Sequence, residues 1–126
     1  MTGFVENLFG LKGRVAAVSG GGGYLCGEMA RGLAQAGCRV AVMDIRLGKA
    51  EDVASQIRDE LGGDAIGVEV DASDKASFRA GLAATLDAFG QADILINGAG
   101  INAPTPFLEI ELDEFHAVMN SQITST

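Results

Sequence analysis

Four consecutive glycines, Gly20, Gly21, Gly22 and Gly23, follow directly on the run Val15-Ala16-Ala17-Val18-Ser19. A continuous apolar run cut off by glycine reads as a strand buried on both faces, not as the alternating pattern of a half-exposed one. Such a strand belongs in a parallel sheet covered by helices on both sides. The glycines end it and let the backbone approach closely whatever lies above its end.

The rest of the chain repeats this theme. Residues 24–36 carry helical spacing, with Leu25, Met29 and Leu33 four apart and Gly37 as the stop. Residues 39–44 predict a second buried strand. Residues 47–61 predict a helix with Ala50, Val53, Ala54, Ile57 and Leu61 on one face. A third strand follows at 65–70. Ser73 or Asp74 is placed to cap a third helix, whose apolar stripe is Phe78, Leu82, Leu86 and Phe89, with Gly90 closing it. Residues 92–97 form the fourth strand, and Pro104 and Pro106 keep the next stretch out of helix. A last helix starts near Glu111, with Leu112, Phe115 and Met119 inward, and is still running at the end of the chain. Only a short apolar entry (Phe4, Val5, Leu8, Phe9, Leu11) precedes the first strand.

This alternation predicts an α/β fold. It is a Rossmann-type doubly wound parallel sheet in three α/β/α layers, here its N-terminal half with strand order 3-2-1-4. Strand 4 is expected to be left as an open edge.

A length of 126 residues suits one domain, so residues 1–126 are read as a single domain. A formal charge of -8 argues against nucleic acid as a partner, since phosphate binding needs surplus Lys and Arg. No apolar run is long enough to span a membrane. Residues 1–12 carry Glu6 and lack the basic start of a secretory leader. Cys26 and Cys38 are too few and too irregularly spaced for a disulfide framework or a metal site. A cytoplasmic setting and no bound metal are the expectation. His116, the single histidine, stands alone on a helix without partners at ligand spacing.

The chemistry gathers in the turns after the strands. Between a strand and a helix, glycines let the backbone meet a pyrophosphate, and the helix N-terminus supplies free N–H groups and a positive dipole end. Asp44 ends strand 2, seventeen residues after Gly27. There a carboxylate accepts hydrogen bonds from both adenosine ribose hydroxyls and repels a 2′-phosphate, which favours NAD over NADP. Arg46 is the residue that argues the other way. Asp71 lies just past strand 3, where adenine would rest, and serves equally well as a turn or capping residue. Asn97-Gly98-Ala99-Gly100 after strand 4 combines close approach with an amide able to bond backbone across to strand 1.

Taken together these residues resemble the short-chain dehydrogenase/reductase family. Ser19, Gly20 and the glycines after them match in part its Thr-Gly-x-x-x-Gly-x-Gly loop. Asp44 matches its NAD-selecting acid, Asp71 its adenine-contacting Asp, and Asn97 to Gly100 its Asn-Asn-Ala-Gly signature. The resemblance implies a cofactor site made of Ser19, Gly20, Gly22, Gly23, Tyr24 and Leu25, then Asp44 and Ile45, Asp71 and Ala72, and Asn97, Gly98, Ala99 and Gly100. In that register Tyr24 and Cys26 stand where the family has its second and third glycines, and Gly98 where it has a second Asn. Gln122 falls on the family's active-site Asn. The family's catalytic Ser and Tyr-x-x-x-Lys motif have no counterpart here, the one tyrosine being Tyr24. The resemblance therefore implies that residues 1–126 are a single NAD-binding domain that stops before the catalytic segment. The loop and the segment after Gly100 are also similar to the branch acting on sugar acids and polyols, such as D-mannonate (fructuronate) oxidoreductases.

The implied activity is NAD-dependent hydride transfer between nicotinamide and a hydroxyl or carbonyl carbon of a small molecule, in a protein that forms homo-oligomers when full length. Two other readings compete. One is a non-catalytic nucleotide-binding module. The other is an S-adenosylmethionine-dependent methyltransferase, which also pairs a glycine loop with an acid ending strand 2 but does not call for Asn97-Gly98-Ala99-Gly100.

Overall fold

The computed structural model describes residues 3–124. A short helix α1 (Phe4–Phe9) precedes β1 (Val15–Ser19), α2 (Tyr24–Gln35), β2 (Arg39–Asp44), α3 (Leu47–Leu61), β3 (Ala65–Glu69), α4 (Lys75–Phe89) and β4 (Ile94–Asn97). A 3-10 turn (Phe107–Glu109), α5 (Leu112–Met119) and a π-helical turn (Asn120–Thr124) follow. The four strands are parallel, in the order β3-β2-β1-β4. This is the expected sheet of a Rossmann-type α/β/α fold.

Burial on both faces explains the sequence of β1. Ala16 and Val18 point into a core with Val40, Val42, Ala30, Ala50 and Ile57, while Val15 and Ala17 point into a second core with Met43, Val70 and Phe89. Asp93 fastens the other end of the strand. Its Oδ2 accepts from the Val15 N–H at 2.8 Å, and its own N–H donates to the Val15 carbonyl at 2.9 Å.

The helices fall where the sequence places them, but the expected stripes of α2 and α4 face inward only in part, through Leu33 in the one and Phe78 and Phe89 in the other. In α2 the buried positions are Cys26, Gly27, Ala30 and Ala34, whereas Leu25 and Met29 are exposed. Small side chains let the helix lie close against the sheet, and the leucine stripe sits one position away. In α4, Gly81, Thr85 and Phe89 face inward, and Leu82 and Leu86 are exposed. A Cβ on Gly81 would stand 2.5 Å from Val70 Cγ2, so nothing larger fits there. Asp74, not Ser73, caps this helix and accepts from the Ala76 N–H at 2.9 Å.

The expected inward stripe of α5 is likewise corrected, since Leu112, Phe115 and Met119 are all exposed. Helix α5 passes into the π-helical turn and not onto the sheet. The open edge is where expected. Among the described residues β4 pairs with β1 alone, and a groove of about 620 Å³ runs beside it, lined in part by Phe78, Leu82, Ile94 and Leu95.

Cys38 is 3% exposed, its Sγ donates to the Leu11 carbonyl at 3.5 Å, and burial raises its pKa, with the charge of Asp93 adding to the effect. The folded protein is therefore expected to leave Cys38 unmodified by a thiol reagent at pH 7.5. Mass mapping of labelled peptides before and after denaturation checks this.

Candidate functional site

The parallel register brings every strand's carboxyl end to one edge. Ser19 lies level with Met43 and Asn97, and Asp44 with Glu69. Strand order reverses between β1 and β4, and in such sheets a crevice opens at that point outside the carboxyl ends of the strands. A cleft of about 750 Å³ opens there.

Its first wall is the glycine turn and the start of α2, where Gly20, Gly23, Tyr24 and Leu25 line the cleft. Gly20 has φ +69°, and a Cβ on it would stand 2.9 Å from the Gly98 carbonyl oxygen. The turn is tied down by Gly21 N–H donating to the Met43 carbonyl at 2.9 Å and Gly23 N–H to the Gly20 carbonyl at 3.1 Å. No side chain caps α2. Its first-turn N–H groups lack helical partners and are available to an anion in the cleft.

Asp44 forms the next stretch of wall, with Ile45 and Arg46 beside it. The carboxylate is only 6% exposed. Its Oδ2 accepts from the Gly22 N–H at 3.1 Å and its Oδ1 from the Arg46 N–H at 2.9 Å, with Arg46 Nε at 3.3 Å. Gly22 is pinned against this group: a Cβ there would lie 2.8 Å from Asp44 Oδ2 and 2.7 Å from Lys49 Cβ. Gly22 therefore holds the carboxylate and does not itself line the cleft.

Asp71 and Ala72 line the third side together with Ser73. Asp71 Oδ1 accepts from Ser73 Oγ at 2.6 Å and from the Ser73 N–H at 2.9 Å, and these bonds lower its pKa. The turn role and a place at the cleft thus fall to one residue. Asp93 is also lowered, mainly by the Val15 N–H. Each carboxylate therefore stabilises the fold above the unfolded value of about 4, and that contribution is lost as pH falls through the lower folded value. Stability is expected to stay level from pH 7 to about 5 and to drop below about 4. Urea midpoints against pH check this, and Asp93→Asn flattens the acid limb.

Gly98, Ala99 and Gly100 line the fourth side. Asn97 does not join them. It is exposed at the end of β4 and lines the groove beside Phe78 and Leu82, which shares Ala72 and Ser73 with the cleft. Ser19 is also outside the cleft lining, being 1% exposed. Its Oγ is the one buried side-chain polar atom without a hydrogen-bond partner among the described residues.

Gln122 sits behind the last loop. Its Nε2 donates to the Ile101 carbonyl at 2.9 Å, and its amide occupies the space over Gly100, 2.7 Å from where a Cβ would be. The neighbouring Ser121 Oγ accepts from the Ile101 N–H at 3.0 Å and lines the cleft. Sequence reasoning missed Ser121, Ile101, Val70, Ser73 and Cys26 as lining residues. Ser121 and Ile101 meet only through the return of the chain after α5, a contact twenty residues apart in sequence.

A glycine turn, an uncapped helix start and an acid at the end of the second strand, all at a reversal of strand order, define a dinucleotide-binding α/β domain. The comparisons narrow this class. Residues 14–126 match the short chain dehydrogenase family, and the chain belongs to it. It is 38% identical over 104 residues to the uncharacterized oxidoreductase UxuB of Bacillus subtilis, covering 82% of this chain and 37% of that one. It is 31% identical over 118 residues to D-threitol dehydrogenase of Mycolicibacterium smegmatis, covering 94% and 45%. Among solved structures it superposes on the 3-ketoacyl-(acyl-carrier-protein) reductase of Brucella melitensis complexed with NADH. There the TM-score is 0.80 and the identity 34%, over 91% of this chain and 46% of that one. The chain thus spans less than half the length of these relatives.

Proposed function

We propose that this chain is the cofactor-binding portion of an NAD-dependent oxidoreductase that moves hydride between nicotinamide and a hydroxyl or carbonyl carbon. The observation that carries the reading is Asp44, a nearly buried carboxylate held by the Gly22 and Arg46 N–H groups at the side of the cleft. In that place it would receive the adenosine ribose hydroxyls and repel a 2′-phosphate, which favours NAD over NADP. The first turn of α2 would take the pyrophosphate. Asp71 with Ala72 would flank the adenine, and Gly98 to Gly100 the nicotinamide-side ribose. When bound, the cofactor supplies the hydride chemistry, and the residues here supply position and charge. Gln122 would act at one remove, through the loop it fastens.

A sugar acid or polyol is the proposed substrate class, supported by the similarity to D-threitol dehydrogenase and by the character of the glycine loop. The complete protein would be a cytoplasmic homo-oligomer. Residues 1–126 alone would bind cofactor without turning over substrate, since their one tyrosine, Tyr24, is a surface residue opening α2.

Titration calorimetry of the purified polypeptide with NAD, NADP and S-adenosylmethionine tests the reading, with an assay of nicotinamide reduction in parallel. Binding of NAD at least tenfold tighter than NADP, without turnover, is the expected result. Tighter binding of S-adenosylmethionine, or no discrimination by the 2′-phosphate, would overturn it.

A further inference from the structure

Gly98 poses a question that backbone conformation does not answer. The positive-φ glycines are Gly13, Gly20, Gly37, Gly62 and Gly90, and Gly98 is not among them, so its backbone is one that any residue adopts. What excludes a side chain is space. A Cβ on Gly98 would collide with Cys26 Sγ, while the same Cβ would clear Cys26 Cβ at 3.7 Å and approach the Ser19 carbonyl oxygen at 3.2 Å. The main obstacle is a single sulfur atom, since the Ser19 oxygen needs to give by only a few tenths of an ångström. The sulfur belongs to a residue 9% exposed in the first turn of α2, and its thiol donates to the Gly98 carbonyl at 3.9 Å.

We propose that Cys26 and Gly98 are a matched positioning pair whose thiol sets the separation of the two loops that wall the cleft. The glycine turn and the β4 loop meet at two points. At Gly20 the neighbours are backbone atoms, Gly98 O at 2.9 Å and Ala99 Cα at 3.0 Å, so no change of side chain relieves that contact. At Cys26 the neighbour is a side chain, so one substitution can relieve it. Both residues line the cleft, and a displaced β4 loop changes the width of the site itself. The two departures from the family pattern, at positions 26 and 98, are therefore one feature seen from both sides.

The consequence for binding rests on the cofactor reading above, and a double-mutant cycle with two readouts separates them. Gly98→Ala is expected to weaken NAD binding at least tenfold and to lower the melting temperature by roughly 5 °C, as overpacking does. Cys26→Ala removes only Sγ and serves as the reference of the cycle; freeing the two walls is expected to cost it some affinity, but less than Gly98→Ala loses. Combining the two leaves the added methyl in ordinary contact with Ala at 26. Affinity should then return to within about threefold of Cys26→Ala, and melting to within about 2 °C of it.

The pair is refuted if Gly98→Ala melts and binds like the original chain, which would mean that the thiol swings aside. It is equally refuted if the double variant is as damaged as Gly98→Ala alone. Should the unaltered chain bind no NAD, the cofactor reading falls, and the melting cycle still decides whether the pair exists.

Discussion

Asp44→Ala is expected to weaken NAD binding by roughly ten- to a hundredfold, the worth of losing hydrogen bonds to a charged group, about 1.5–3 kcal/mol. The expectation follows from the position of the carboxylate, which is 6% exposed at the cleft wall with both oxygens already engaged by backbone N–H groups. Those bonds hold it rigid, so little ordering remains to be done when a ribose arrives. NADP binding should fall much less, because the same substitution removes the charge that opposes a 2′-phosphate, and Arg46 Nε, now 3.3 Å from Asp44 Oδ1, is released. Calorimetry with both nucleotides reads the ratio. Equal losses for the two would mean that Asp44 only braces Gly22 and does not select the cofactor. A melting curve for the variant separates that bracing role from binding.

The second large effect is expected at Gly20. Its φ of +69° and the 2.9 Å that a Cβ would leave to the Gly98 oxygen act together. A β-branched residue is a strong outlier at positive φ, and that strain costs about 1–3 kcal/mol before any clash is counted. Displacing the β4 backbone adds a further cost of about 1–3 kcal/mol. Gly20→Val should therefore lower the melting temperature by roughly 10 °C or more for a domain of this size and abolish nucleotide binding. Gly32→Val is the control, since no atom lies within 4 Å of a Cβ there and its φ is not in the positive region. It should be neutral or slightly stabilising, by under about 1 kcal/mol, because valine has the higher helix propensity. Matching losses in the two variants would place the effect in glycine content and not in the close approach.

Much of this was legible before any coordinates. The both-face burial of β1 shows in Val15-Ala16-Ala17-Val18 because a central parallel strand has no solvent side on which to place polar residues. Asp44 was legible for a related reason: the strand's apolar run ends at the sheet edge, and the first acid after it must stand there. The helix faces were misread where bulk was taken for burial. Leu25 and Leu82 are the conspicuous residues of α2 and α4, yet Gly27, Ala30 and Gly81 make the contact, because close packing against a sheet needs small side chains at the point of nearest approach. The stripe of α5 was misread differently. An amphipathic pattern states that a partner is wanted and does not say that one is within reach.

The sequence alone therefore determined the order of elements, the strand order 3-2-1-4 and the edge at which the chemistry collects. These depend on local periodicity, on turn residues and on the handedness of parallel connections, all of which are written along the chain. The tertiary structure decided what each glycine is for. Gly20 answers to the backbone of residues 98 and 99, Gly22 to Asp44 and Lys49, Gly98 to Cys26 and Gly100 to Gln122. It also decided that Asn97 lines the groove beside β4 while Ser121 lines the cleft. Those outcomes are contacts between residues twenty to eighty positions apart. A glycine in the sequence shows only that space is needed, and which atoms occupy that space is settled when the sheet brings its loops together.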